Sequence, residues 1–214
     1  MSTKLNRFTP LTGLVFAVLA LIAFATASGA PSAGDSGAKV IAFYKAHSSN
    51  AQASDLLWTV AFVFLVFFAA SICTMARRAP ESDGLRWVVA AGAAVLAAGA
   101  AVYFGFDFTL ASGAGDLSPA GAQALNLLAL KLYLPVGAGG VIFGVGAGLT
   151  IARGSLLPTW VGWVGVAVGV LAVAGVVGLL PLILWTALTS VLIFRRTGRL
   201  PSAADGVEAN AVPA

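Results

Sequence analysis

The 214 residues are 59% hydrophobic and only 9% charged, with a net charge of +4 and a mean hydropathy of +0.96. Soluble domains carry roughly 25% charged residues, so a chain this poor in charge cannot cover a water-facing surface. Long unbroken apolar runs exclude a β-barrel, which alternates apolar and polar residues, and scattered basic residues without interleaved aromatics exclude a nucleic-acid surface.

The expected architecture is an all-α, polytopic transmembrane helical bundle of six spans, forming a single domain over 1–200. A span needs about 20 residues to cross roughly 30 Å of hydrocarbon. The first apolar segment covers 10–27. Lys4 and Arg7 precede it, and Ala25-Thr26-Ala27 or Ser28-Gly29-Ala30 follow. A cleaved signal peptide therefore competes with a retained span, and cleavage would leave five spans in the same orientation. The polar stretch from Ser28 to Ser54 holds a short amphipathic helix over 38–47, with Val40, Phe43 and Tyr44 on one face. Such a helix lies on the membrane surface or caps the bundle. Asp55 suits the N-terminus of the second segment, 56–76. Cys73, the only cysteine, forms no intrachain disulfide and reads as a small buried hydrophobe.

The third segment, 85–106, runs into Asp107 and carries Gly92 and Gly99 among alanines. The fourth, 124–152, is long enough to tilt or project, and contains Asn126, Lys131, Tyr133 and Pro135. Its Gly140, Gly144 and Gly148 recur every four residues, as do Gly165 and Gly169 on the fifth segment, 157–178. Glycines at that spacing share a helix face and admit a second backbone, within the chain or from another copy. The sixth segment is 181–194. A single helix from 157 to 194 would be about 57 Å long, nearly twice the hydrocarbon thickness, so a turn is expected near Gly178 and Pro181. The tail, 201–214, reads as disordered and cytoplasmic.

Six spans place Lys4, Arg7, Arg77, Arg78, Arg86, Arg153, Arg195, Arg196 and Arg199 on one side and only Lys39 and Lys45 on the other. The positive-inside rule then puts both termini in the cytoplasm of a multi-pass protein of the cell membrane. Trp87, Trp160 and Trp163 near the cytoplasmic ends, and Trp58 near the external end, form an aromatic belt.

Lys131 is the basic residue that fits neither a loop, a tail nor a span end. A charge at membrane depth is costly and needs a partner or a route to the interface. Asp107, on the neighbouring antiparallel segment, is a candidate ion-pair partner, with Asn126, Tyr103 and Tyr133 lining the same region. Outward snorkelling of the lysine is the alternative. His47 reads as a surface histidine, and no metal-ligand spacing, nucleotide loop or nucleophile elbow is present. No metal or cofactor is expected.

The run Gly154-Ser-Leu-Leu-Pro158-Thr-Trp160-Val-Gly162-Trp163-Val-Gly165, followed by Leu184-Trp185 and Ser190-Val-Leu-Ile-Phe-Arg195-Arg196, resembles a group of small actinobacterial integral-membrane proteins of unknown function, as does the segment Val40-Ile-Ala-Phe-Tyr44. The resemblance implies a six-helix membrane protein and carries over no catalytic residue. The leading functional expectation is a non-enzymatic accessory or scaffold component of the membrane. A small-solute or ion transporter with a site near Lys131 and Asp107 comes second, and an enzyme on a lipid or quinone-like substrate third. The expected partners are the bilayer and other membrane proteins or a second copy of the chain, with no nucleic acid.

Overall fold

The computed structural model describes residues 8–26, 29–77 and 82–197, and every regular element among them is helical. A 3-10 turn, Thr9–Leu11, leads into α1 (Thr12–Thr26), followed by α2 (Gly37–Arg77), α3 (Leu85–Gly113) and α4 (Pro119–Lys131). Then come α5 (Tyr133–Arg153), α6 (Thr159–Leu171), a 3-10 turn at Ala172–Ala174, and α7 (Val176–Thr197). Among the described residues, five stretches are long and apolar enough to cross a membrane: Thr9–Thr26, Gly37–Arg77, Leu85–Gly113, Pro119–Arg153 and Val177–Arg196. Thr159–Ala174 is apolar but shorter. The tail expected over 201–214 lies outside the described residues, as do Lys4, Arg7, Arg78 and Arg199.

Element ends differ from the sequence expectation for local physical reasons. Residues 38–47 are helical, and non-helical backbone at His47 (φ −123°, ψ 15°) sets them apart, as a first arm of α2, from the helix that carries the second apolar segment. His47 Nδ1 donates to the Phe43 carbonyl at 3.0 Å, and its ring stacks on Phe43 at 4.6 Å, which holds the bend. The long fourth segment divides at Leu132. Pro135 has no N–H to give the carbonyl of Lys131, and its ring crowds that carbonyl, so the helix cannot run straight through. Asp107 does not end α3 but lies within it.

The turn between the last two segments sits at Gly175, not at Gly178–Pro181. Gly175 has φ +86°, a conformation open to glycine and strained for other residues. Pro181 is accommodated inside α7. The earlier turn lengthens α7 at the expense of α6. The two helices form an antiparallel hairpin, fastened by Trp185 Nε1 donating to the Val161 carbonyl at 2.9 Å and by Arg196 Nη1 donating to the Leu156 carbonyl at 2.5 Å.

Helix α5 is the hub, packed on α3 along one face and α6 along another. Hydrocarbon offers no hydrophobic drive between helices, so association depends on close backbone approach and dispersion. A Cβ on Gly148 would lie 2.6 Å from the Gly162 carbonyl oxygen, and one on Gly169 would lie 2.8 Å from Gly144 Cα. The expected glycine faces therefore meet each other within the chain, α5 against α6. Phe68, Phe143, Leu65, Ile72 and Leu96 fill the core between α2, α3 and α5. At the start of α1, Ser190 Oγ on α7 donates to the Pro10 carbonyl at 2.5 Å and accepts from Leu14 N–H at 3.0 Å, satisfying one of the donors a helix start leaves open.

Candidate functional site

Two carboxyl groups meet where α2 and α3 cross. Asp107 comes from α3 and Asp55 from α2. Their side chains are within hydrogen-bonding contact of each other. Asp55 is only 3% exposed, and its Oδ2 has no hydrogen-bond partner. Two bare carboxylates side by side in apolar surroundings would repel strongly.

Tyr44 completes the cluster. It is buried in the first arm of α2, packed with Val40 against Leu110 and Ala122, and its hydroxyl donates to Asp107 Oδ1. The bend at His47 separates this arm from the one bearing Asp55. The arm packs on α3 and α4 through these contacts, and its buried tyrosine reaches the acid pair.

The pair borders a cavity of about 200 Å³ whose lining includes Trp58, Tyr103, Phe104 and Tyr133, with Leu179 and Ile183 of α7. Trp58 stacks on Phe104 with ring centroids 5.4 Å apart and planes within 10°. Tyr103 meets Phe104 edge-on at 5.0 Å. Tyr133 donates to the Ala172 carbonyl at 2.9 Å, which fastens the start of α5 to the α6–α7 turn and fixes its ring at the cavity wall. Asp107 also borders a smaller space of about 50 Å³ beside Tyr44 and His47, and Asp55 one of about 180 Å³ beside Leu56 and Thr59.

Of the five residues expected at a site, Asp107, Tyr103 and Tyr133 line one cavity. The other two lie elsewhere. Asn126 is buried and donates through Nδ2 to the Ser32 carbonyl at 3.1 Å, tying α4 to the segment before α2. Lys131 is exposed at the last residue of α4, and among the described residues no ion pair joins it to Asp107. The contacts of Asp107 are Tyr44 and Asp55. Because the helix breaks at Leu132, Lys131 sits at a helix end. Trp58, expected at the aromatic belt, is buried against the cavity, whereas Trp87, Trp160 and Trp163 are exposed.

Sequence reasoning passed over Asp55 and Tyr44. They lie on either side of the break at His47, so helix periodicity does not relate them, and only the packing of α2 on α3 brings both to Asp107.

Comparison with known protein families, curated proteins and solved structures returned no match. The site therefore stands on its own geometry. Among the described residues no group of three or more histidine, cysteine or acidic side chains could hold a metal ion. The arrangement puts two carboxyl groups, one with an unpartnered buried oxygen, at the wall of a small chamber lined by aromatic rings.

Proposed function

We propose that this chain is a membrane protein that binds a small organic cation at the Asp55–Asp107 pair in exchange for a proton, and serves as a proton-linked transporter of such cations. The observation that carries the reading is the buried, unsatisfied Asp55 oxygen beside Asp107 at an aromatic-walled cavity. A buried acid in a membrane helix is expensive and is retained where it handles ions or protons. Aromatic faces attract cations by about 1 kcal/mol each, more where water is excluded. A neutral apolar ligand would leave the Asp55 oxygen unpaired, and an anion would meet repulsion from the carboxyls. When a monovalent cation enters, the shared proton leaves, so the charge in the chamber stays constant. Two adjoining cavities, which share Ala30, Ser54 and Asp107 in their linings, support access to the site.

The α6–α7 hairpin supports six crossings, with Thr159–Ala174 as the shortest, and the basic-residue bias supports cytoplasmic termini in the cell membrane. The accessory or scaffold role, which rests on the lack of a catalytic motif, is the second reading. An enzyme acting on a lipid or quinone-like substrate, using the same carboxyls as acid and base, is the third.

The test is proton release. Benzyltrimethylammonium is added to the purified full-length protein in weakly buffered detergent solution. The expected result is acidification approaching one proton per chain, saturable, and lost in Asp55→Asn and Asp107→Asn. Neutral neopentylbenzene of the same shape should release none. Equal release from wild type and both variants, or none from any, would overturn the proposal.

A further inference from the structure

At the opposite end of α2 and α3 from the acid pair, the two helices part to form a cavity of about 470 Å³, which shares no lining residue with the acid-pair chamber. Its walls are small side chains: Ala69, Ala70 and Cys73 on α2, and Ala90, Ala93 and Ala94 on α3. Its mouth is framed by Arg77, in the last turn of α2, and Arg86, in the first turn of α3.

Helix stability accounts for Arg77, since a cation suits a helix C-terminus. It does not account for Arg86, because a cation at a helix N-terminus opposes the macrodipole. One guanidinium nitrogen, Nη1, is held by Asp83 at 2.7 Å, while the buried Nε has no partner. Arg86 also stands 5.0 Å over the ring of Trp87, itself 66% exposed, which fits the level of lipid headgroups. From Val66 to Arg77 the groove follows α2 for about 16 Å, close to half of the roughly 30 Å hydrocarbon thickness. The groove is thus one leaflet deep, lined mainly by small apolar side chains with Thr74 among them, and basic at its mouth.

We propose that this groove is a binding site for an anionic phospholipid, with one acyl chain along the alanine-lined wall between α2 and α3 and the phosphate against Arg77 and Arg86. Charge complementarity selects the occupant. A zwitterionic lipid would fill the apolar wall equally well but would present its own cation to the two arginines. A guanidinium fork matches phosphate oxygens in geometry as well as in charge.

Native mass spectrometry of the full-length protein in neutral detergent tests this, with titrations of palmitoyl-oleoyl phosphatidylglycerol and the phosphatidylcholine of identical chains. The expected result is tighter phosphatidylglycerol binding by on the order of thirtyfold, the factor two arginines supply near an anionic headgroup. That preference should vanish in Arg77→Gln/Arg86→Gln and persist in Arg153→Gln, a control at another exposed basic helix end. Ala94→Phe, at an exposed groove position, should weaken both lipids without touching the arginines and without disturbing the core. Glycerol 3-phosphate, which has the headgroup chemistry and no chains, should not bind at lipid concentrations. Equal binding of the two lipids by wild type, a preference that survives loss of both arginines, or equal binding of glycerol 3-phosphate would overturn the proposal. Proton release at Asp55–Asp107 has no bearing on any of these outcomes.

Discussion

Tyr44 and Asp107 are 63 residues apart in sequence and joined by a hydrogen bond from phenol to carboxylate. The bond links the first arm of the bent helix α2 to the last third of α3, and so couples that arm to the acid pair.

Tyr44→Phe removes that donor and keeps the ring. A hydrogen bond to a charged acceptor contributes about 1.5–3 kcal/mol, and the bereft carboxylate stays half-buried, so the variant should unfold several degrees below wild type. The measurement is thermal unfolding in detergent. Tyr44→Phe combined with Asp107→Asn should cost less than the sum of the single changes, because the two residues share one bond.

Lys131→Met should leave both the unfolding temperature and cation-driven proton release at wild-type values, since the side chain is exposed at the end of α4. A loss of proton release in this variant would return Lys131 to the site and refute its separation from the acid pair.

Gly144→Val should be among the most damaging single changes. Its added atoms would run into the backbone at Gly169 and force α5 from α6. Overpacking of this kind costs about 1–3 kcal/mol or more. Gly105→Ala is the matched control: a Cβ there meets nothing within 4 Å. In a helix interior that exchange favours folding by about 0.5–1 kcal/mol, so the two variants should move the unfolding temperature in opposite directions.

Gly175→Ala tests the hairpin. At φ +86° an alanine carries backbone strain of about 1–3 kcal/mol. The variant should lose stability, and the loss should exceed that of Gly29→Ala, whose glycine is also at positive φ but in a segment before α2 that fastens no hairpin.

Outside the membrane-spanning helices, Asp35 pairs with Lys39 at 2.7 Å and accepts from Ser32 N–H at 2.8 Å. The lysine first, and the backbone donor second, hold its carboxyl below the ordinary 3.8. A depressed acid contributes stability above its unfolded pKa and loses that contribution as pH falls through the lower folded value. Carbon-13 NMR of the aspartate carboxyls should place its midpoint below 3.8 in wild type and closer to 3.8 in Lys39→Gln. Because Lys39 is largely exposed and the pair lies at the surface, the unfolding temperature near neutrality should barely respond.

The helical, membrane-embedded character was legible from the sequence, since each apolar run carries its own transfer free energy whatever its neighbours do. So was the glycine spacing on α5 and α6, because helix periodicity alone puts those positions on one face. Asp107, Tyr103 and Tyr133 were legible as polar groups near one end of neighbouring segments. Their true partners were not. Lys131 drew attention because an unbroken fourth segment would have buried it, and that segment breaks at Leu132 once Pro135 withholds its N–H.

Composition and periodicity by themselves determined that the chain is a helical membrane protein, and roughly where its apolar segments lie. Only tertiary structure decided that Asp55, Asp107 and Tyr44 share one cluster, that Trp58 walls the chamber beside it, and that the last turn falls at Gly175. Insertion into hydrocarbon is a property of each segment taken singly. A site made from two helices depends on the bend at His47 and on how deeply α2 and α3 interlock, and packing between distant segments sets both.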